Sequence, residues 1–230
     1  MVKNDLILRN PMRRLEQTAD SILPQGGFGA VLARAGVGKT ALMVQVALNT
    51  LLSGQNVLHI SLNDPVNKVT LWYREVFRRL AETYDVHQID RLWEDLLPHR
   101  FIMTFKVEGF SVPKLEERLA DLTEQDIFKP QVVIIDGLPF DDTAVQSLSE
   151  LKAFARSQGI KVWFTVLTHR HETRNPSGIP TALDSVVDLF DTVLALHPEG
   201  KEIHIRLLKG EKAEDTLRLQ LDPGTMLVTE

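Results

Sequence analysis

The sequence predicts a three-layer α/β fold, with a mostly parallel central sheet that ends in antiparallel strands. Short β-branched and apolar runs alternate with helical patterns over residues 28–169, and such alternation requires right-handed crossovers between parallel strands. Later segments are strand patterns separated by short turns, as in antiparallel hairpins. With 230 residues, 43% of them hydrophobic, the chain is long enough to cover both faces of such a sheet. We therefore expect one domain over residues 1–230.

The first half of the pattern follows an amino-terminal segment, residues 1–25, whose charges and prolines predict an irregular or partly helical lead-in. Helices are predicted where apolar residues recur every three or four positions, and strands where apolar residues run on without a break. The apolar face of the second helix is predicted to contain Val66, Val69, Tyr73, Phe77 and Leu80. The predicted strands are 28–33, 56–62 and 100–105, and the predicted helices are 39–54, 65–82 and 88–97.

The second half continues the alternation and then changes character. A helix over 112–124, with Ser111 as its N-cap, precedes a β-branched strand at 131–137. A helix near 142–158 stops at Gly159, and a buried strand at 160–169 follows. Residues 170–180 are predicted to form a loop. The antiparallel strands are predicted within 191–197, 201–210 and 215–222.

A glycine-rich loop, "ARAGVGKT", carries the strongest chemical pattern in the sequence. It fits the phosphate-loop motif G-x-x-x-x-G-K-[ST], with Ala33 at the first glycine position. In that motif the glycines let backbone N–H groups face a phosphate, the lysine bridges the β- and γ-phosphates, and the threonine offers a hydroxyl to Mg²⁺. The alternative is a glycine-rich turn with an incidental Lys-Thr pair. Because the motif follows a predicted strand and opens a predicted helix, we predict nucleotide binding by Ala33, Arg34, Ala35, Gly36, Val37, Gly38, Lys39 and Thr40.

A second feature fits this loop, namely the apolar strand "QVVIID" that ends on Asp136. A carboxylate there is placed to hold Mg²⁺ through water or through Thr40. The alternative is a strand followed by an ordinary Asp-Gly turn. Because the next residue is Gly137, the strand lacks the paired acids that many ATPases use for a general base. Any base must therefore come from elsewhere.

These stretches resemble the RecA-like P-loop ATPases, in particular the branch that contains the DnaB-type helicases, RadA and the clock protein KaiC. Residues 26–64 are similar to that branch from its glycine-rich strand through the phosphate loop to the next strand. The strands at 132–137 and 162–169 match its following core strands, and 189–196 and 203–212 match its carboxy-terminal strands. The resemblance covers about residues 25–215 and is most specific at the phosphate loop.

The resemblance implies ATP and Mg²⁺ as ligands. Lys39 and Thr40 would contact phosphate and Mg²⁺, and Asp136 would assist at the metal. Thr168 or His169 would stand where the family places a polar γ-phosphate sensor, although His169 could equally be a surface loop histidine. RecA relatives usually place ATP between subunits, which implies a homo-oligomer with the nucleotide at its interface.

The family's catalytic glutamate would fall on Asn63. A carboxamide can hold water but cannot accept its proton at neutral pH, so the expected general base is missing. Asp64 is the nearest substitute, but a shift of one residue points a strand side chain to the opposite face. The alternative, which we favour, is that Asp64 and Pro65 are the N-cap and first residue of the following helix.

A second departure lies in "LLKGEKAED", where relatives carry Lys-x-Arg cations that reach the γ-phosphate of the neighbouring subunit. Lys209 matches the first cation, but Glu211 occupies the arginine position and Lys212 lies one residue on. A carboxylate repels phosphate, and an ammonium lacks the planar fork of a guanidinium. The alternative is a hairpin with solvated charges.

Composition limits the partners. A formal charge of −5 gives no general attraction to nucleic acid or anionic lipid. In the loop at 170–180, Arg170, His171 and Arg174 could touch phosphate, but Glu172 opposes them and no aromatic residue is present for base stacking, so DNA binding is disfavoured. The absence of cysteine excludes disulfides and thiolate metal sites. No run of about 18 apolar residues occurs, so we expect no membrane span and a cytoplasmic protein.

Three functional hypotheses follow. The first is a weak or regulatory ATPase, similar to KaiC, that binds ATP and Mg²⁺. The second is a nucleotide-dependent binding module that does not hydrolyse ATP. The third is an ATPase accessory to DNA recombination or unwinding, which charge and the incomplete Lys-x-Arg motif disfavour.

Overall fold

Nine strands form one sheet among the residues described by the computed structural model, which are 6–7, 10–12, 23–86, 89–140, 144–210 and 219–229. The strands are β1 (Phe28–Ala33), β2 (Val57–Ser61), β3 (Arg100–Thr104), β4 (Val132–Asp136), β5 (Lys161–Leu167), β6 (Thr192–Glu199), β7 (Glu202–Lys209), β8 (Leu219–Leu221) and β9 (Val228–Thr229). Their order across the sheet is β3-β2-β4-β5-β1-β6-β7-β8-β9. Strands β1 to β6 pair in parallel, and β6 to β9 pair antiparallel.

Helices connect the parallel strands and cover the sheet. They are α1 (Lys39–Leu52), α2 (Val66–Thr83), α3 (Ile89–Leu96), α4 (Val112–Glu124) and α5 (Ala144–Gln158). Short 3₁₀ turns occur at Leu97–His99, Val107–Gly109, Thr181–Leu183 and Val187–Leu189. The helix predicted near 142–158 is observed from Ala144, and its first predicted residues lie outside the described part of the chain. Gly159 ends it with a left-handed φ of +65°.

Two hydrophobic cores lie on the two faces of the sheet, which makes three layers. Alternate residues of a strand face opposite sides. Val31 therefore packs with α1 and α2, while its neighbours Ala30 and Leu32 pack with α4 and α5. Each fully buried Val or Leu contributes about 1.5–3 kcal/mol to folding. The predicted α/β fold, with a mostly parallel sheet and antiparallel carboxy-terminal strands, is confirmed.

The described part of the amino-terminal segment belongs to the first core. Leu6 and Met12 are buried with α1, and the side chain of Asn10 donates a hydrogen bond of 3.4 Å to Asn49 on that helix. Residues 6–7 are helical. These contacts attach the described part of the segment to the helix that follows the phosphate loop.

The apolar face predicted for α2 is observed, except at its first residue. Val69, Tyr73, Phe77 and Leu80 are buried as predicted, but Val66 is 45% exposed. Val66 is the first residue of the helix and lies outside its buried face. The prediction for Val66 was therefore wrong.

The prediction that Asp64 is the N-cap of α2 was also wrong. Pro65 is the N-cap of α2, and its carbonyl accepts the first bonds of the helix from Lys68 and Val69. The Asp64 carboxylate makes no capping bond and instead pairs with the Lys68 ammonium at 2.8 Å. Such an ion pair, with the lysine 57% exposed, contributes little to stability. For α4, Ser111 is the N-cap residue as predicted, although its side chain makes no capping bond.

A polar cluster is buried between β2, β3 and α2. His59 has no solvent exposure, and its Nδ1 lies 3.0 Å from the hydroxyl of Tyr73. The Arg100 guanidinium stacks 4.8 Å from the Tyr73 ring centre and 5.3 Å from that of Trp93. Within the described chain, His59 Nε2 and Arg100 Nη1 are buried without a hydrogen-bond partner. Protonating His59 would cost free energy, because the charged imidazolium would be buried away from water.

This burial predicts acid sensitivity. Desolvation lowers the pKa of His59 to about 4, helped by Arg100 and opposed by Asp136. Because the folded pKa lies below the unfolded value, the stabilising contribution is complete above about pH 6.5 and is lost as the pH falls toward 4. The loss amounts to about 3 kcal/mol. Urea unfolding at several pH values measures this loss in the free energy of unfolding. The free energy of unfolding should depend less on pH in His59→Gln than in the wild type. Parallel pH curves for the two proteins would contradict the assignment to His59.

Among the described residues, no helix has the length and apolarity needed to cross a membrane.

Candidate functional site

The phosphate loop connects β1 to α1 at the carboxyl end of the parallel strands. Gly36 and Gly38 have φ angles of +76° and +111°, in the left-handed region that favours glycine. Gly38 is also the N-cap of α1, so the loop lies directly at the amino end of a 14-residue helix. The helix dipole and the free backbone N–H groups of its first turn both favour an anion at this position.

The carboxy-terminal hairpin β8–β9 packs behind the loop. A Cβ atom at Gly38 would overlap Leu221 of β8 and come within 3.4 Å of Met226 Sδ. Gln45 of α1 fixes the hairpin by donating to the Met226 carbonyl and accepting from the Val228 N–H, each at 2.8 Å. Gly38 is thus required both for its backbone conformation and for close packing. No local pattern in the sequence indicates this support.

Lys39 folds back over the loop. Its ammonium donates hydrogen bonds to the carbonyls of Ala33 and Arg34, at 3.0 and 3.1 Å. Burial lowers the pKa of Lys39 from its usual value, and the nearby Asp136 carboxylate partly opposes that shift. The cation is therefore held over the loop by the carbonyls of Ala33 and Arg34, with the Asp136 carboxylate nearby.

Thr40 and Asp136 meet beside the loop. Thr40 Oγ1 donates to Asp136 Oδ2 at 3.2 Å. The other carboxylate oxygen accepts a hydrogen bond of 2.6 Å from Thr165 of β5, a strand that lies between β1 and β4. Thr165 was missed in the sequence, although a threonine within the apolar run "VWFTVL" is a recognisable signal, because a buried hydroxyl needs a partner.

Asn63 lies at the same edge of the sheet. β2 pairs with β4, and the Leu62 N–H donates to the Asp136 carbonyl at 2.9 Å. The exposed Asn63 side chain then rests on Gly137, where any Cβ would overlap its amide, and Gly137 has a φ of +93°. Asn63 is therefore next to the residue pair that ends β4. Asp64 is turned to Lys68, and its N–H donates to Ser61 Oγ at 2.9 Å.

Thr168 directly follows β5, at the start of the connection that leads to the loop at 170–180. It is 3% exposed, and its N–H donates to the Ala33 carbonyl at 3.0 Å. His169 is exposed, and its N–H is bonded to the Glu172 carboxylate at 3.0 Å. Of the two sensor candidates, Thr168 therefore has a backbone contact with the first residue of the phosphate loop.

Lys209 lies at the opposite end of the sheet. It is the last residue of β7 and pairs with Val193, near the start of β6, because β7 runs antiparallel. Its ammonium donates to the Val187 carbonyl at 2.8 Å and lies 3.9 Å from Asp188. This placement rules out a contact with the phosphate loop of the same chain. Glu211 and Lys212 lie outside the described residues.

The loop at 170–180 is folded onto itself. The Arg174 guanidinium donates to the Gly178 carbonyl at 2.7 Å, and Asn175 donates to Asp184 at 3.0 Å. Arg170 and His171 are exposed. Of the basic residues considered for DNA contact, Arg174 is therefore already engaged within the loop.

The site suits a hard cation and a phosphate. Thr40 and Asp136 supply hydroxyl and carboxylate oxygens, the donor types that Mg²⁺ prefers, and they are close enough to share one ion. A Cβ built at Gly36 would meet no atom within 4 Å, so the loop is open on that side. In the described part of the chain, no group of three or more His, Asp or Glu side chains could hold a metal.

A glycine-rich loop at a helix amino terminus, with a strand-end carboxylate beside it, defines a P-loop nucleotide-binding site on an α/β sheet of the RecA-like P-loop NTPase type. A family model described as an AAA domain matches residues 3–165, and the chain belongs to this family of ATPase-type nucleotide-binding domains. The match includes the phosphate loop, Asn63, Asp136 and Thr165. No curated protein matches the chain.

Proposed function

We propose that the protein binds ATP with Mg²⁺ and is a weak or regulatory ATPase of the RecA-like branch that includes KaiC. The contact between Thr40 Oγ1 and Asp136 Oδ2, 3.2 Å beside the phosphate loop, carries the proposal. It joins the two oxygen donors that a nucleotide-bound Mg²⁺ requires, although they are 96 residues apart in the chain.

The phosphate loop and the residues beside it have different roles in this proposal. The loop from Ala33 to Thr40 surrounds the phosphates with backbone N–H groups, and the Lys39 ammonium exchanges its carbonyl partners for phosphate oxygens. Thr40 and Asp136 would hold Mg²⁺. When bound, that ion neutralises charge that develops on the phosphates during transfer. Thr168, whose N–H is bonded to the Ala33 carbonyl, is the proposed γ-phosphate sensor.

Asn63 explains why hydrolysis should be slow. Its amide lies against Gly137 and can orient a water molecule by hydrogen bonds. It cannot take the proton of that water, and general-base catalysis is worth about 10²- to 10⁴-fold in rate. Asp64 is a poor replacement because its carboxylate is paired with Lys68. We therefore expect nucleotide binding to be much better developed than turnover.

The same observation favours a second candidate, a nucleotide-dependent binding module that does not hydrolyse ATP. Binding of a fluorescent ATP analogue, with and without Mg²⁺, tests the nucleotide site that both candidates share. Phosphate release under saturating ATP then separates them. Turnover that disappears in Lys39→Ala supports the weak ATPase, and tight binding without turnover supports the module. Absence of binding contradicts both.

A homo-oligomer is part of the proposal. Lys209 points away from its own phosphate loop, at the opposite end of the sheet, so a phosphate contact by this residue requires a second subunit. Light scattering with and without ATP tests assembly. A monomer under both conditions would exclude Lys209 as a ligand of the phosphate.

A further inference from the structure

The geometry points to Thr165 as a positioning residue for the Mg²⁺ site, a role that rests on the proposed nucleotide-binding function. Thr165 lies on β5, the strand inserted between the phosphate-loop strand β1 and the Asp136 strand β4. Neighbouring strands are about 4.8 Å apart, so β1 and β4 are separated by about 10 Å. Thr165 occupies the strand between the loop and Asp136.

The Thr165 hydroxyl has both of its hydrogen-bonding functions used at the end of β4. It donates to Asp136 Oδ1 at 2.6 Å and accepts the Gly137 N–H at 3.1 Å. The residue is 3% exposed, so water does not compete for the hydroxyl. The chain of bonds runs from Gly137 through Thr165 to the carboxylate, and successive bonds in such a chain strengthen each other.

This arrangement fixes the rotation of the carboxylate. With Oδ1 held by Thr165, Oδ2 is left facing Thr40, 3.2 Å away. Oδ2 and the Thr40 hydroxyl are the two oxygens proposed to serve Mg²⁺. Without the Thr165 hydroxyl, the Asp136 side chain could turn about its last bond and present either oxygen, and the pair would lose its fixed geometry.

Thr165 also connects the metal side of the site to Asn63. The peptide N–H that it accepts belongs to Gly137, the residue on which the Asn63 amide rests. One hydroxyl therefore holds the carboxylate proposed for Mg²⁺ and the surface that places the amide proposed to hold water. Thr165 is buried and its hydroxyl bonds only to these two residues among those described, so its proposed action is on position alone.

The test compares Thr165→Val, which keeps the shape but removes the hydroxyl, with Thr165→Ser, which keeps the hydroxyl. Affinity for Mn²⁺, a paramagnetic substitute for Mg²⁺, is measured by electron paramagnetic resonance of the free ion in the presence of saturating ADP. Loss of such a supporting bond typically weakens metal binding about 10- to 100-fold. We expect that loss in Thr165→Val, near wild-type affinity in Thr165→Ser, and unchanged ADP affinity in EDTA for both.

Thr50→Val is the matched control, because Thr50 is also buried but its hydroxyl bonds, among the described residues, only to the Val46 carbonyl, at 3.0 Å within α1. A merely structural threonine would lower the melting temperature in both valine variants and leave the Mn²⁺ affinity unchanged. Equal Mn²⁺ affinity in wild type and Thr165→Val overturns the inference while nucleotide binding stands. If the valine variant does not fold, Thr165→Ala is compared with Thr165→Ser by the same criterion. A wild-type protein that binds no ADP overturns the proposed function itself.

Discussion

Replacing Asn63 by glutamate is expected to raise the rate of ATP hydrolysis by about 10²- to 10⁴-fold. A glutamate carboxylate can accept the proton of an attacking water, which the asparagine amide cannot do. The position tolerates the change because the Asn63 side chain is exposed and lies beside Gly137 at the end of β4. Phosphate release, measured with saturating ATP and Mg²⁺, checks the prediction.

Asn63→Gln is the control for this experiment, because glutamine has the length of glutamate without its basicity. An equal rise in both variants would show that length, and not proton transfer, limits the reaction. The double variant Lys39→Ala, Asn63→Glu should lose the gain, which excludes a contaminating ATPase. If Asn63→Glu hydrolyses ATP no faster than wild type, Asn63 does not occupy the catalytic position of the family.

Replacing Lys39 by alanine is expected to weaken ATP binding by about 10²- to 10⁴-fold, since two charge-assisted hydrogen bonds to phosphate are worth about 1.5–3 kcal/mol each. The Lys39 ammonium is already positioned over the loop by the carbonyls of Ala33 and Arg34. Calorimetric titration with ATP and Mg²⁺ measures the loss.

Lys68→Ala is the matched control for Lys39. Lys68 lies near the same edge of the sheet, but its side chain is 57% exposed. Among the described residues, it forms an ion pair only with Asp64. Its removal should leave ATP affinity near the wild-type value. Similar losses in the two variants would mean that general electrostatic attraction, and not a specific phosphate contact, accounts for binding.

The parts of the site that could be predicted from sequence are those whose chemistry is local. The phosphate loop is a continuous stretch whose glycines, Lys39 and Thr40 have fixed spacing, and Asp136 ends an apolar strand. The strands and helices followed from periodicity, which depends only on neighbouring residues. Val66 was misassigned because periodicity alone does not show which residues at a helix end are covered by the rest of the fold.

The remaining parts depend on which strands become neighbours. Thr165 acts on Asp136 only because β5 lies between β1 and β4, and no local pattern gives that order. Leu221 supports Gly38 only because the carboxy-terminal hairpin turns back onto α1. Likewise, the antiparallel direction of β7 puts Lys209 at the far end of the sheet. Such long-range placements require the fold itself.

The hairpin behind Gly38 also sets an order of events during synthesis. Gln45 and Val228, which bind each other, are 183 residues apart. A ribosome that adds about 5–20 residues per second makes the loop about 10 to 40 s before the hairpin. The phosphate loop of a nascent chain therefore lacks the packing of Leu221 until residues 219–229 have emerged. Completion of the nucleotide site therefore follows the synthesis of residues 219–229.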